Sequence, residues 1–380
     1  MRHLCLTILT ITILCSCSGG SAIPTGQDGD TLQLNYAEHL CIVRHQNYTE
    51  VRLTDPWNEG KTLHTYLLVP RTDSTGHPVE VPAQLPKGTI VRTPLQRSVV
   101  ATSVHCGLVL SFGKGGSIGG VCDLSYINIP SIQQGCREGR IANCGSGLQP
   151  TLEVILDLQP DALFLSPFQN SGGYGRLEHL GIPIIETADY METSALGRAE
   201  WMRFYGMLFG AEAEADSLFR TVEANYLRLK ELAKSDATHV CTIMDKLTGS
   251  VWYVPGGQST IGGLIRDANI EYPWSDDTHS GSLALPFESV LEKGEGASLW
   301  LFRYNAPRAA TLRSLLTEGN GYGQFRAFQT GEVYGCNTAT TTFYEDTPFH
   351  PDLLLRDFIC IAHPRLGLGE PTYFKKLINN

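Results

Sequence analysis

The most regular pattern of apolar and polar positions in this chain runs from Glu212 to Lys234. Apolar residues recur along it at the spacing of one helix face, at Ala215, Leu218, Phe219, Val222, Tyr226, Leu229 and Ala233. Glu212 and Glu214 fall in its first turn, and Lys230 and Lys234 fall near its end, where each charge suits the helix dipole. The pattern predicts one uninterrupted helix over 212–234, about 35 Å long at a rise of 1.5 Å per residue.

Patterns typical of alternating strands and helices lie on both sides of this helix. The predicted strands are 99–103, 117–122, 141–144, 161–166, 182–186, 240–244, 251–254, 298–302 and 333–336. The predicted helices are 105–112, 150–158, 173–180, 194–209, 261–268, 286–292, 311–317, 352–362 and 372–377. Strands alternating with helices at this spacing predict mainly parallel sheets covered on both faces. We therefore predict an N-terminal lobe over 97–193 and a C-terminal lobe over 238–380, joined by a helical linker over 194–237. The alternative is that the long helix is an ordinary surface helix of one large domain.

The segment before the first lobe has a different pattern. Residues 40–70 form three runs of alternating apolar and polar positions, LCIVRH, TEVRLTD and TLHTYLLVPR, which predict strands. The residues 55–60 between the second and third runs supply turn chemistry, and 71–89 is predicted to be a connecting loop rich in Pro and Gly. We predict a β-hairpin module over 40–96, too small to be an independent domain, that packs on the first lobe.

Composition and charge exclude several classes of protein. The 380 residues are enough for about two to three domains, and an apolar content of 42% is that of a globular protein. The net charge of −10 gives no basic footprint for binding nucleic acid, and it also argues against electrostatic adhesion to anionic lipid. A membrane contact, if there is one, has to come from another feature of the chain.

The first residues indicate export. Arg2 and His3 precede the apolar run Leu4–Leu14, which is too short to span a bilayer. The following Leu-Cys-Ser-Cys resembles a bacterial lipoprotein signal, with cleavage before Cys17 and lipidation of that cysteine. An ordinary secretory signal is the alternative. We predict a signal peptide over 1–16 and a loose polar tether over 17–39 that carries a periplasm-facing protein on its lipid anchor.

Eight further cysteines lie in the exported part, at Cys41, Cys106, Cys122, Cys136, Cys144, Cys241, Cys336 and Cys360. Export permits disulfides. The spacings match no zinc pattern, and Cys136 and Cys144 could bridge a loop. Most of the others lie in apolar runs typical of buried thiols, and their pairing stays open.

Two motifs resemble a known family. The segment 148–164, LQPTLEVILDLQPDALF, and the segment 177–185, LEHLGIPII, are similar to the corresponding segments of helical-backbone (class III) substrate-binding lipoproteins. Thr151 stands where the family motif has Asn. These proteins serve ABC importers of ferric siderophores, haem and vitamin B12. The resemblance implies two mainly parallel α/β lobes joined by one backbone helix, and a metal chelate or corrinoid bound between them. It also implies a monomer that needs no cofactor and delivers its ligand to an ABC permease and its ATPase.

The resemblance further implies two docking residues. An acidic residue in each lobe of such proteins pairs with arginines of the permease, and the matching positions here are Glu153 and Glu288. The alternative is that both are solvated glutamates placed at helix starts for the helix dipole. A stiff single-helix connection also implies little closure on binding and a largely pre-formed cleft.

The cleft should be lined by loops that follow strand ends. The predicted ligand contacts are His105, Tyr126, Phe168, Tyr174, Tyr190, Trp252, Tyr253, Arg303, Tyr304 and Tyr344. Aromatic walls suit flat macrocycles and aromatic chelators, although packing in the core explains each ring equally well. Arg303 could hold an anionic ligand through forked hydrogen bonds, as could Arg198, for which a surface ion pair is the alternative. His105 could supply an axial nitrogen to a metal, although a lone histidine here is more often a cap.

Two other functions are the alternatives to a chelate-binding protein. A protein that binds a bare divalent metal ion needs several His or carboxylate ligands that converge, and the eleven histidines are scattered singly. A hydrolase on an α/β scaffold needs a nucleophile motif, and neither G-x-S-x-G nor H-E-x-x-H occurs. The sequence therefore favours a binding protein over an enzyme.

Overall fold

The computed structural model describes residues 29–170, 173–319 and 321–379. The predicted signal peptide and the lipidation site Cys17 lie outside these residues. No helix among the residues described has the length and apolar character needed to cross a membrane.

The N-terminal module is a five-stranded sheet in the order β1-β2-β3-β4-β5. Its strands are β1 (Asp30–Thr31), β2 (Leu40–Arg44), β3 (Thr49–Thr54), β4 (Thr62–Pro70) and β5 (Thr89–Thr93). The three predicted strands are confirmed. The outer two were missed, because β1 pairs only two residues and β5 joins β4 in parallel, outside the hairpin pattern.

The first lobe contains a parallel sheet in the order β10-β9-β6-β7-β8. Its elements are β6 (Ser98–Val100), α1 (Ser103–Ser111), β7 (Ile118–Val121), α2 (Pro130–Arg137), β8 (Ala142–Asn143), α3 (Leu152–Leu158), β9 (Ala162–Leu165) and β10 (Ile184–Glu186). The helix predicted over 173–180 is instead a 3₁₀ helix, Gly175–Leu180, and α2 was not predicted. The parallel sheet itself was predicted and is confirmed.

Three helices connect the lobes: α4 (Ala195–Glu200), α5 (Met202–Phe209) and α6 (Glu212–Lys234). The prediction for α6 is confirmed at both ends. Its buried side chains are the predicted stripe apart from Leu218, which is half-buried. The stripe packs on α5 of the linker and on α12 (Pro351–Ala362) of the second lobe, so α6 is the structural link between the lobes.

The second lobe contains two sheets, one in the order β11-β15-β16-β17 and one in the order β12-β13-β14. Its strands are β11 (Thr242–Met244), β12 (Leu247–Thr248), β13 (Val251–Pro255), β14 (Ser282–Leu285), β15 (Leu299–Tyr304), β16 (Val333–Asn337) and β17 (Lys375–Lys376). Its other helices are α7 (Thr260–Asp267), α8 (Phe287–Gly294), α9 (Leu312–Glu318), α10 (Arg326–Thr330) and α11 (Phe343–Asp346). Strands β11, β15 and β16 are parallel, and the predicted α/β fold of two lobes on a backbone helix is confirmed.

The helix predicted over 372–377 is wrong. The buried Asp357 carboxylate of α12 accepts hydrogen bonds from the backbone N–H groups of Thr372, Tyr373 and Phe374. These bonds hold the segment extended, and β17 then pairs antiparallel with β16. The extended conformation of this segment depends on a carboxylate distant in sequence, so the local pattern of apolar and polar residues could not predict it.

Residues 35–39, which we call the strap, are bound rather than loose. The fully buried Glu200 carboxylate accepts from the backbone N–H groups of Asn35, Tyr36 and Ala37 at 2.8–3.1 Å. The Glu192 carboxylate accepts from those of Glu38 and His39 at 2.9–3.1 Å. Two carboxylates, one shortly before α4 and one at its last residue, therefore fasten a segment that was predicted as part of the tether.

Candidate functional site

A cavity of about 440 Å³ lies on the second lobe, at the carboxyl ends of its parallel strands. Its lining is Asp245, Lys246, Thr248, Tyr253, Ser282, Arg303, Tyr304, Asn305, Ala306, Glu318 and Tyr344. Asp245 directly follows β11, and Tyr304 ends β15. Ligands of parallel α/β sheets bind at this position, beyond the strand ends. Four of the predicted contacts, Tyr253, Arg303, Tyr304 and Tyr344, meet in this one cavity.

Arg303 is fixed by Asp245. The Arg303 Nε atom donates to Asp245 Oδ1 at 3.0 Å, and Nη2 donates to Oδ2 at 2.5 Å. Burial by itself lowers the pKa of Arg303, but the Asp245 carboxylate outweighs burial and raises it above its ordinary value, so the guanidinium stays charged. The forked face that we expected to hold an anionic ligand is occupied by a residue of the protein itself.

Asp245 was missed as a site residue. Its backbone φ is 59°, in the left-handed region, which residues other than glycine adopt rarely. The other candidates are mainly aromatic residues in loops predicted to follow strand ends. Asp245 directly follows β11, so the same position rule applied to acidic residues would have found it.

The second cation of the cavity is also paired. Lys246 forms an ion pair with Glu318 near the end of α9. The cavity lining thus holds two cations and two carboxylates, each cation in contact with one carboxylate. Its formal net charge is zero.

Two tyrosines present their rings to the cavity. Tyr253 is 47% exposed and Tyr344 is 46% exposed. Tyr304 is held more firmly, because its hydroxyl accepts from Ala310 N–H at 2.9 Å and its ring packs 5.5 Å from that of Phe302. The free walls of the cavity are therefore aromatic and uncharged.

The predicted contacts of the first lobe lie at the corresponding strand ends. Tyr126 follows β7, Phe168 follows β9 and Tyr190 follows β10, and all three are exposed. The Tyr190 hydroxyl donates to Pro167 O at 2.5 Å, which fixes its ring beside the loop after β9.

One loop brings the two lobes together. The Asn128 side chain donates from Nδ2 to Thr338 O at 2.7 Å, and its backbone N–H donates to Glu345 Oε1 at 2.9 Å. The loop that carries Tyr126 is therefore held against the segment that carries Tyr344. Tyr126 and Tyr344 thus belong to segments that contact each other across the two lobes.

Trp252 is not available to a ligand. It is 0% exposed, its Nε1 donates to Met244 O at 2.8 Å, and its ring packs against those of Trp300, Tyr322 and Phe325. The prediction that it lines the cleft is wrong, because the inward face of the short strand β13 could not be assigned from sequence. Trp252 belongs to the core.

His105 is not a free ligand either. It is 3% exposed, its Nε2 lies 2.9 Å from Asp189 Oδ1, and its Nδ1 lies 2.5 Å from Thr102 Oγ1. Arg198 also pairs with Asp189, at 2.9 Å. Burial by itself raises the pKa of Asp189, but His105, Arg198 and the Tyr205 hydroxyl outweigh it and lower that pKa to about 2. His105 and Arg198 thus belong to one structural network around Asp189. The prediction that His105 contacts the ligand is wrong, because its side chain is buried.

Tyr174 is partly withdrawn from the cleft. Its hydroxyl donates to Glu186 Oε1 at 3.2 Å, and burial raises the pKa of its phenol.

The two predicted docking residues are exposed. Glu153 lies in the first turn of α3, and Glu288 lies in the first turn of α8. That placement suits both interpretations of the two glutamates.

Comparisons with known proteins agree with this architecture. The family model described as "Periplasmic binding protein" matches residues 125–340, more than half of the chain. An uncharacterized lipoprotein of Methanocaldococcus jannaschii, MJ0878, is 25% identical over 93% of this chain and 87% of its own. A periplasmic haem-binding protein of Pseudomonas aeruginosa has a similar structure (TM-score 0.57, 15% identity, 75% of this chain and 99% of that chain). So has an Fe³⁺-Desferal-bound siderophore-binding protein of Vibrio cholerae (TM-score 0.52, 17% identity, 70% and 99%). At these identities the two structures establish the fold alone.

Proposed function

The chain belongs to the periplasmic binding protein family, whose members bind substrates and are not enzymes, and from that premise we propose its cargo. We propose that it captures an iron complex, a ferric siderophore or haem, or else a corrinoid, between its lobes. It then delivers this ligand to the permease of an ABC importer. The proteins of similar structure that bind haem and an Fe³⁺–Desferal complex support this choice of cargo.

The cavity at the strand ends of the second lobe carries the proposal. Its lining includes the exposed rings of Tyr253 and Tyr344. The segment that carries Tyr344 is hydrogen-bonded to Asn128, in the first-lobe loop that follows Tyr126. Aromatic surfaces of this kind bind flat or apolar ligands well. The bare-metal alternative lacks comparable support, because the described part of the chain contains no group of three or more His, Cys, Asp or Glu placed to hold an ion.

Titration of the purified chain tests the cargo. We expect saturable one-to-one binding of a ferric siderophore, haemin or cyanocobalamin, followed by tryptophan fluorescence. Tyr344→Ala and Tyr253→Ala should each weaken binding by roughly tenfold, the value of one aromatic contact. Leu316→Ala removes an equally exposed side chain outside the cavity lining and should leave affinity unchanged. Tight binding of a bare divalent ion, with none of these chelates bound, would contradict the proposal.

We further propose that Glu153 and Glu288 dock the loaded protein on the permease. Both carboxylates are exposed in the first turn of a helix, one helix in each lobe. Glu153→Ala and Glu288→Ala should lower transport while ligand affinity stays at the wild-type value. Equal transport by the double variant would assign both side chains to helix-dipole stabilisation alone.

The lipid anchor on Cys17 completes the proposal, and the lipoprotein name of the Methanocaldococcus jannaschii relative supports it. Cys17→Ser should release the protein from membranes into the soluble fraction. A variant that stays membrane-bound would exclude lipidation at this residue.

A further inference from the structure

The cavity contains charged groups whose charges cancel one another. Arg303 is paired with Asp245, and Lys246 is paired with Glu318. The other side chains of its lining carry no formal charge. The electrostatic character of the cavity therefore differs from that of a site built to attract a multiply charged anion.

We propose that the ligand is a metal complex of zero or nearly zero net charge, and that Asp245 and Glu318 set this selectivity. This inference rests on the proposed function, because it names the class of chelate bound at the same site. Three hydroxamate groups, each with one negative charge, cancel the charge of Fe³⁺. Three doubly charged catecholates leave a complex with a threefold negative charge.

The geometry of Arg303 explains the discrimination. An anion that approached this guanidinium would also approach the Asp245 carboxylate, which lies against it at 2.5–3.0 Å. Attraction and repulsion would then nearly cancel, while the cost of removing a multiply charged anion from water would remain. Asp245 accepts from Nε and Nη2, and this pair of hydrogen bonds does not engage Nη1. A neutral complex that brought a carbonyl oxygen to Nη1 would gain a hydrogen bond there without bringing a net charge to the Asp245 carboxylate.

The exposed predicted contacts of the first lobe include no cation, since His105 is buried against Asp189. Tyr126, Phe168 and Tyr190 are uncharged, and Arg198 is paired with the buried Asp189. Asp123, at the start of the loop that carries Tyr126, is exposed and acidic. A carboxylate at this place would oppose an anion that reached Tyr126.

Binding measurements with complexes of different charge test the inference. The probes are ferrichrome and cyanocobalamin, which are neutral, and ferric enterobactin, which is a triply anionic triscatecholate. We expect wild-type protein to bind one of the neutral probes at least tenfold more tightly than ferric enterobactin. If ferric enterobactin binds more tightly, the inference is overturned and the proposed function stands. If none of the three probes and no haemin binds, the proposed function fails, and the inference fails with it.

Charge-neutralising variants give a second test. Asp245→Asn removes the negative charge beside Arg303, and Glu318→Gln removes the negative charge beside Lys246. Each variant should therefore raise the affinity for ferric enterobactin relative to the neutral probe by roughly tenfold. This gain should shrink as salt is added. Asp161→Asn breaks a similar ion pair with Arg71 outside the cavity and serves as the matched control. Because the Glu318 side chain is 45% exposed, its variant keeps the test decisive if Asp245→Asn does not fold. Unchanged selectivity in a folded Glu318→Gln protein would refute the role of charge compensation.

Discussion

One buried hydroxyl joins the N-terminal module to the first lobe, and its removal is a sharp test of how the two pack. The Tyr66 hydroxyl of β4 donates to Ile184 O at 3.0 Å and accepts from Glu186 N–H at 2.8 Å. Both partners belong to β10, the strand at the edge of the parallel sheet. A single side chain thus satisfies two backbone groups that an edge strand otherwise leaves open.

Tyr66→Phe removes one oxygen atom and leaves the ring in place. The ring is fully buried and stacks on His64 at 4.3 Å and on Phe204 at 5.8 Å, so its packing should persist. Each buried backbone group left without a partner costs about 1–3 kcal/mol. Two such groups would cost about 2–6 kcal/mol if both stayed without a partner. We expect the lower part of this range, a loss of about 2–4 kcal/mol in the free energy of unfolding, because Ile184 and Glu186 lie near the surface, where water can partly replace the lost hydrogen bonds.

Equilibrium denaturation in urea measures this loss, with circular dichroism as the probe. Tyr126→Phe is the matched control, because it deletes the same atom from a side chain that is 70% exposed, and it should be neutral. A Tyr66→Phe protein within 0.5 kcal/mol of wild type would refute the argument. It would mean that water or a small shift of β10 replaces both hydrogen bonds.

Three further predictions concern stability. The pKa of Asp189 is lowered to about 2 by its partners, so its charged form stabilises the fold above the unfolded value near 3.8, and this stabilisation is lost as the pH falls towards 2. Urea titrations should therefore show about 2 kcal/mol of stability lost across this range in wild type and not in Asp189→Asn. Glu200→Gln should cost about 2 kcal/mol and expose 35–37 to limited proteolysis, whereas wild type stays protected there. Gly107→Val should cost about 1–3 kcal/mol by thermal unfolding, because a Cβ at Gly107 would lie 2.7 Å from Glu345 O.

The parts of the fold that depend on local periodicity were predictable. The helix over 212–234 was found at both ends because its stripe and its charged ends carry independent signals. The alternation of strands and helices gave the parallel sheets. The strand ends then located Arg303, Tyr304 and Tyr344 near one another, because parallel strands present their carboxyl ends at one edge. Tyr253 joins them from the middle of β13, in the antiparallel sheet, which the rule of strand ends does not explain.

The features that depend on distant partners were not predictable. Asp245 and Arg303 meet because β11 and β15 are neighbours in one sheet, and a single sequence does not report strand order. Trp252 was assigned to the wrong side because a five-residue strand with apolar residues on both faces has no distinguishable inner face. The sequence therefore predicted which residues lie at the strand ends, but it did not predict the ion pairs that make the cavity neutral.

The way the strap is held has a consequence for how this protein can diverge. Glu192 and Glu200 bind main-chain amides, and every amino acid except proline offers the same amide. The exposed side chains of Asn35 and Glu38 can then change freely. Ala37 packs on the core, and Tyr36 is restrained by the hydrogen bond from its hydroxyl to Glu223. Descendants of this chain would keep the same docked segment long after its sequence had become unrecognisable. Glu192 and Glu200, which bind the segment from far along the chain, would be the residues that such descendants retain.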